Sequence, residues 1–237
     1  MPSKQQYNSV KPTAPNSNSN YSFTLSPSNE TIKADIEKLR AIFAPRNINP
    51  PLGWPALRDF ECKHGIILPE PYRTFVAEIA NGCRDGPPEY GLKPLSNSGD
   101  MSGLGEGRLA LPFPLTERWI WEHDPELPQG FPTSAIDEDG EADIFGRGCL
   151  YLGTEGCGMD WYLIISGEHR GQIWHLSGEG AAPFGAPFGF TKAQPGFAGW
   201  VFHWAAGKNL LWESDEEDEE QTDDQEGDSS RMKHAPI

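Results

Sequence analysis

The sequence predicts an α+β domain: N-terminal helices, a small antiparallel β-meander, and a C-terminal covering helix. Three observations lead there. Apolar residues recur at helical spacing through residues 28–80. Three aromatic and β-branched runs then follow one another between Gly148 and Ser177. A last helical stripe, Phe197, Trp200, Val201 and Trp204, comes after them.

The first helix places Ile32, Ile36, Leu39 and Phe43 on one side, with Ser26-Pro27 or Ser28 as its cap. Pro45 and Pro50-Pro51 end it. A second short helix is expected over Pro55 to His64, with Trp54, Leu57 and Phe60 apolar and Gly65 as a left-handed stop. Leu68-Pro69-Glu70 leads into a third, where Tyr72, Phe75, Val76 and Ile79 make the buried stripe and Asn81-Gly82 ends it. Cys83 to Gly107 reads as a Gly- and Pro-rich loop. Arg108 to Phe113 is expected to be a short strand, and Trp119, Ile120 and Trp121 a short helical segment. A second long loop, Asp124 to Gly146, carries the acids Asp137, Glu138, Asp139, Glu141 and Asp143.

The strand runs are Gly148–Leu152, Trp161–Ser166 and Gln172–Leu176. The gaps between them are too short for helical crossovers, so they pair antiparallel. Ala182 to Phe190, where Ala-Pro-Phe-Gly occurs twice, reads as an irregular edge or loop. The closing helix runs from Pro195 to about Leu211.

Composition sets limits on function. Hydrophobic residues make up 37% of the 237, enough for a core. The 26 Gly and 22 Pro argue against a helical bundle or coiled coil. No run approaches the ~18 apolar residues that cross a bilayer, and residues 1–27 lack an apolar signal region, so a cytoplasmic protein without a membrane partner is expected. Residues 1–27 read as a disordered polar arm, 28–212 as the folded domain, and 213–237 as a disordered acidic tail. The net charge of −16 disfavours direct contact with nucleic acid or an anionic membrane. It attracts basic proteins and speeds their association.

Four sequence elements, in order, resemble a known family. Leu68-Pro-Glu-Pro-Tyr-Arg-Thr-Phe75 followed by Asn81-Gly82 is similar to its helix motif. Gly148-Cys-Leu-Tyr-Leu-Gly-Thr-Glu-Gly-Cys-Gly158 with Asp160 is similar to its glycine-rich strand and turn. Leu163-Ile-Ile-Ser-Gly167 and Gly171-Gln-Ile-Trp174 are similar to its hairpin, and Phe197 to Trp204 to its last helix. Over residues 28–212 the chain thus resembles the SUKH superfamily of Smi/Knr-type domains. That group includes a fungal cell-wall assembly regulator and bacterial immunity proteins. The resemblance implies a non-enzymatic domain that binds other proteins, in bacteria commonly a co-encoded toxin, often a nuclease. It assigns Gly82, Gly153, Gly156, Gly158, Asp160, Gly167 and Trp174 to the structural motif. The long stretch between Asn81 and Gly148 and the two tails depart from the pattern.

Several constellations compete for chemistry. Gly153 to Gly158 reads as a hairpin turn whose glycines supply positive φ, with an anion-binding nest as the alternative. Asp160 is expected to brace that turn. Gly103-x-Gly105-x-Gly107 lacks the Lys-Ser/Thr of a phosphate loop. Cys149 or Cys157 with His175 is the one pairing that suggests a Cys-dependent hydrolase, and no third residue is evident to orient it. The six His show no ligand spacing, and Asp137 to Asp143 lacks the full calcium-loop series, so neither metal nor cofactor is expected. Trp119 and Trp121, with Asp137, Glu138, Asp139, Glu141 and Asp143, are the candidate partner-binding residues, an aromatic and acidic set suited to a basic protein.

Overall fold

In a computed structural model the described residues are 28–95, 108–120, 147–177, 180–185 and 196–211. They hold helices α1 (Asn29–Phe43), α2 (Trp54–His64), α3 (Tyr72–Glu78) and α4 (Phe197–Ala205). The strands are β1 (Trp119–Ile120), β2 (Cys149–Gly156), β3 (Met159–Ile164), β4 (Ile173–Ser177) and β5 (Gly180–Pro183). No helix among the described residues is long and apolar enough to cross a membrane. The α+β class holds, with the meander between the first three helices and the last.

Ser28 caps α1 by accepting from the Thr31 amide through its hydroxyl. Gly53 precedes α2, which begins one residue before Pro55, and Gly65 ends it in the left-handed region at φ 65°. Pro71 caps α3, whose Tyr72, Phe75 and Val76 are buried. Asn81-Gly82 lies just beyond that helix and ties two neighbouring segments together. The Gly82 carbonyl accepts from the Asn49 amide, and the Asn81 side chain accepts from the Leu95 amide.

The sheet is antiparallel in the order β1-β5-β4-β3-β2. The β2–β3 ladder slips by one residue at Leu152 and again at Glu155. The outer edge of β2 is occupied: its Leu152 carbonyl accepts from the Lys93 amide and its Thr154 carbonyl from the Tyr90 amide.

Alternation sends the strand residues to two faces. Leu150, Leu152, Trp161, Leu163 and Ile173 join α1, α2, α3 and α4 in one large core. Cys149, Tyr151, Tyr162, Ile164, Trp174, Leu176 and Ala181 form a second cluster with Phe113 and Leu115.

Three local expectations fail. Arg108–Ala110 is a 3₁₀ turn rather than a strand. Pro112 and Pro114 follow it, and proline cannot donate to a ladder. Trp119–Ile120 is strand rather than helix, paired with Ala181 and Gly180. Two such residues are too few to nucleate a helix, whereas β5 offers them a free edge. Gly180–Pro183, which overlaps the stretch read as an irregular edge or loop, is the internal strand β5. The closing helix is also shorter than expected, stopping at Ala205 before Gly207.

Candidate functional site

The sequence-derived partner residues divide between the described and undescribed parts. Trp119 lies in edge strand β1. Trp121, Asp137, Glu138, Asp139, Glu141 and Asp143 lie outside the described residues. Acidic and basic side chains nearly balance among the described residues, so the net −16 resides in the stretches outside them, chiefly 121–146 and 212–237. The placed frame is close to neutral, and its acidic excess is attached at known points: the end of β1, the start of β2, and the chain after α4.

The motif glycines take up the turn positions the sequence suggests. Gly82, Gly156, Gly158 and Gly167 all have positive φ. At Gly153 the constraint is space. A Cβ there would sit 2.6 Å from Pro88 Cδ and 2.7 Å from the Gly91 carbonyl, because residues 88–91 run close against β2. Trp174 is fully buried and meets Phe113 edge-on at 5.1 Å.

The β2–β3 turn is braced by Thr154. The Thr154 hydroxyl accepts from the Gly156 amide at 2.9 Å and donates to the Met159 carbonyl at 3.0 Å. Glu155 adds a second tie, accepting from Trp161 Nε1 at 3.0 Å and from the Glu89 amide at 3.2 Å. Asp160 stands opposite Thr154 in the ladder, and its charge reaches Tyr151 and Tyr162. Burial first, and that charge second, raises the Tyr151 phenol above its ordinary value. The Gly156 amide is thus occupied within the turn, and the Gly-rich tip closes the β2–β3 hairpin. Tyr90 lies against Gly156 there and is 62% exposed, beside the exposed Cys157. This aromatic knob was missed from the sequence, where Tyr90 read only as part of a loop.

The Cys149–His175 pairing does not form. Cys149 belongs to the second cluster, with Tyr151, Tyr162 and Trp174. His175 lies on the opposite, helix-backed face, its ring 5.0 Å from that of Trp161. Burial pushes the Cys149 thiol up to about 12, which keeps it protonated near neutral pH. Burial pushes His175 down to about 4. Cys157 sits at the exposed hairpin tip. Among the described residues no group of three or more His, Cys, Asp or Glu is placed to hold a metal ion.

A buried ion pair was also missed. Glu61 accepts from Arg73 Nε at 2.7 Å and Nη2 at 2.9 Å, and from the Leu68 amide at 2.9 Å. Burial pushes the Glu61 carboxyl up, but the hydrogen bonds from Arg73 and Leu68 and the charges of Arg73 and Arg58 outweigh it and hold it below its ordinary value. Its one sequence signal is position: Glu61 falls four residues after Leu57, on the buried stripe of α2. The pair pins the α2–α3 connection, and Arg73 also lies over the Trp54 ring at 5.1 Å.

None of the family models, curated proteins or solved structures compared with this chain matches it.

Proposed function

We propose that the chain is a non-enzymatic protein-binding domain that occupies the positive cleft of a basic partner, with neutralisation of a toxin, often a nuclease, as the favoured role. The carrying observation is the separation of charge: a near-neutral frame of well-packed residues, with its acidic excess in 121–146 and 212–237. Acids gathered on a few stretches compete with nucleic acid for a cationic cleft and steer encounter through long-range attraction. The resemblance to SUKH domains supports the same reading, as does the opposite-face placement of Cys149 and His175, which removes one of the two Cys–His pairings of the hydrolase alternative. The polar arm and tail favour a second reading within the binding class, a regulatory scaffold like the fungal cell-wall assembly regulator, with those arms as docking segments.

The test is capture from the source cell with the full chain as bait. A second bait carries Asp137→Asn, Glu138→Gln, Asp139→Asn, Glu141→Gln and Asp143→Asn, and a third ends at Trp212. The expected partner is rich in Lys and Arg, binds one-to-one, is released by added salt, and is largely lost by the five-residue variant. Recovery of acidic proteins alone, or catalytic turnover of a small molecule by the purified chain, overturns the proposal. A toxin reading frame beside this one separates immunity from scaffolding.

A further inference from the structure

The hairpin tip carries an aromatic ring that the fold does not use. Among the described residues, the large apolar side chains left well exposed are Ile67, Tyr90 and Leu111. Tyr90 is the aromatic one, and it belongs to neither buried cluster.

Its backbone is nevertheless held from several sides. The Tyr90 amide donates to the Thr154 carbonyl at 3.2 Å, and the Lys93 amide to the Leu152 carbonyl at 2.8 Å. Leu92 exchanges both backbone hydrogen bonds with Cys83. Just before Tyr90, the Glu89 amide donates to Glu155 Oε2, while Glu155 Oε1 accepts from Trp161 Nε1, so the segment is tied through one carboxylate to the large core. Pro87 and Pro88 restrict φ at the two positions before Glu89. The ring rests on Gly156, where an added Cβ would lie 3.0 Å from Tyr90 Cε2. A rigid, exposed tyrosine with two rotatable χ angles loses little freedom on binding, which is the property of an interface anchor.

The charge around the ring selects the partner. Glu89 is exposed beside it, Glu155 lies against the Glu89 amide, and Asp160 stands opposite Thr154 in the ladder. Against these acids stands Lys93, whose Nζ donates to the Tyr90 carbonyl at 3.5 Å. Arg84 and Asp85 on the neighbouring segment offset one another. An aromatic face flanked by carboxylates suits a guanidinium, which is drawn both to the ring quadrupole and to the negative charge.

We infer that the Tyr90 tip is a docking surface for an arginine-bearing loop of the basic partner, with the guanidinium over the Tyr90 ring and Glu89 beside it. This rests on the proposed function and gives it a contact point within the described residues.

The test is titration of the full chain with an Arg-Gly repeat octapeptide, followed by NMR shifts of the Tyr90 ring and the Gly156 and Gly158 amides. Saturable shifts at the tip are expected. The affinity read at Gly156 should fall about fivefold in Tyr90→Leu and stay near the original in Tyr90→Phe, because the ring and not its bulk receives the cation. Glu89→Gln should weaken it about twofold and reduce its salt dependence. The Tyr90 amide bond to Thr154 does not need the side chain, so the variants keep the fold, which the Trp161 indole signal checks. Shifts confined to the acids of 137–143 or 213–228, or a Tyr90→Leu chain that binds as tightly as the original, overturn this inference and leave the proposed function standing. Absence of binding anywhere on the chain overturns both.

Discussion

The two faces of the sheet are built by different means. The helix-backed face is closed by elements distant in sequence: Phe43 of α1, Phe75 of α3, Phe197 of α4 and Trp161 of β3 meet in one cluster. Its rings interlock, with Phe43 at 4.8 Å from Phe75 and Trp161 at 5.8 Å from Trp200. Among the described residues, the second face is covered by a strap, residues 111–118, whose Phe113 and Leu115 join its cluster. Its Gly148 passes so near the strap that an added Cβ would lie 2.4 Å from the Leu111 carbonyl oxygen and the Phe113 nitrogen. A helix covers a sheet with a regular stripe of side chains. A strap instead needs backbone in close approach, which only glycine at φ 66° permits here. The lesson is that the hydrophobic pattern of a strand records burial but not the kind of element that provides it.

The sharpest way to break this comparison is to truncate one tryptophan on each face. Trp161→Ala and Trp174→Ala should each cost about 4 kcal/mol in urea unfolding, because both are fully buried and leave large cavities. If Trp174→Ala costs under about 1 kcal/mol, the second face is a loosely covered surface and not a core.

The helix-backed side also holds two ionisable groups, Glu61 and His175. Glu61→Ala should destabilise by about 3 kcal/mol, since Arg73 and the Leu68 amide lose their shared acceptor. Glu61's carboxyl is held low in the folded state, so its contribution is present above the unfolded value near 4.5 and fades as pH falls through the folded value. His175 acts earlier in an acid titration. Its folded value of about 4 lies below the unfolded 6.5, so the unfolded chain takes up the proton first. Stability should fall by about 3 kcal/mol as pH drops from 6.5 to 4. His175→Leu should remove that slope and leave the Glu61 loss at lower pH, as followed by urea midpoints across pH.

The smallest effect is expected at the rim. Arg40 and Glu78 are both well exposed at 3.3 Å, so Arg40→Ala should cost less than about 1 kcal/mol. A larger loss would show that the α1–α3 contact depends on this ion pair more than on Leu39 and Phe43.

Much of the frame is legible in the sequence because it rests on local rules. Leu39 and Phe43, Tyr72 and Phe75, and Trp200 with Val201 repeat at helical spacing, and each ends up buried. Gly65 and Ser28 mark helix ends through their own conformational and hydrogen-bonding preferences. Trp119 and Ile120 were misread because a two-residue strand exists only when an edge accepts it, and β5 forms that edge more than sixty positions along the chain. Thr154 was overlooked as the turn brace because its role depends on bulges that no periodicity reveals.

By itself, the sequence determined the class of the fold, its helix stripes, the antiparallel meander and the placement of acid in a few stretches. Those follow from periodicity, turn chemistry and the cost of burying charge, which act between near neighbours. Tertiary structure alone decided that Cys149 and His175 face apart, that Glu61 is buried with Arg73, and that β1 lies across the sheet from β2. Strand order and register bring together residues far apart in the chain, and a one-residue shift of register would have turned each side chain to the other face.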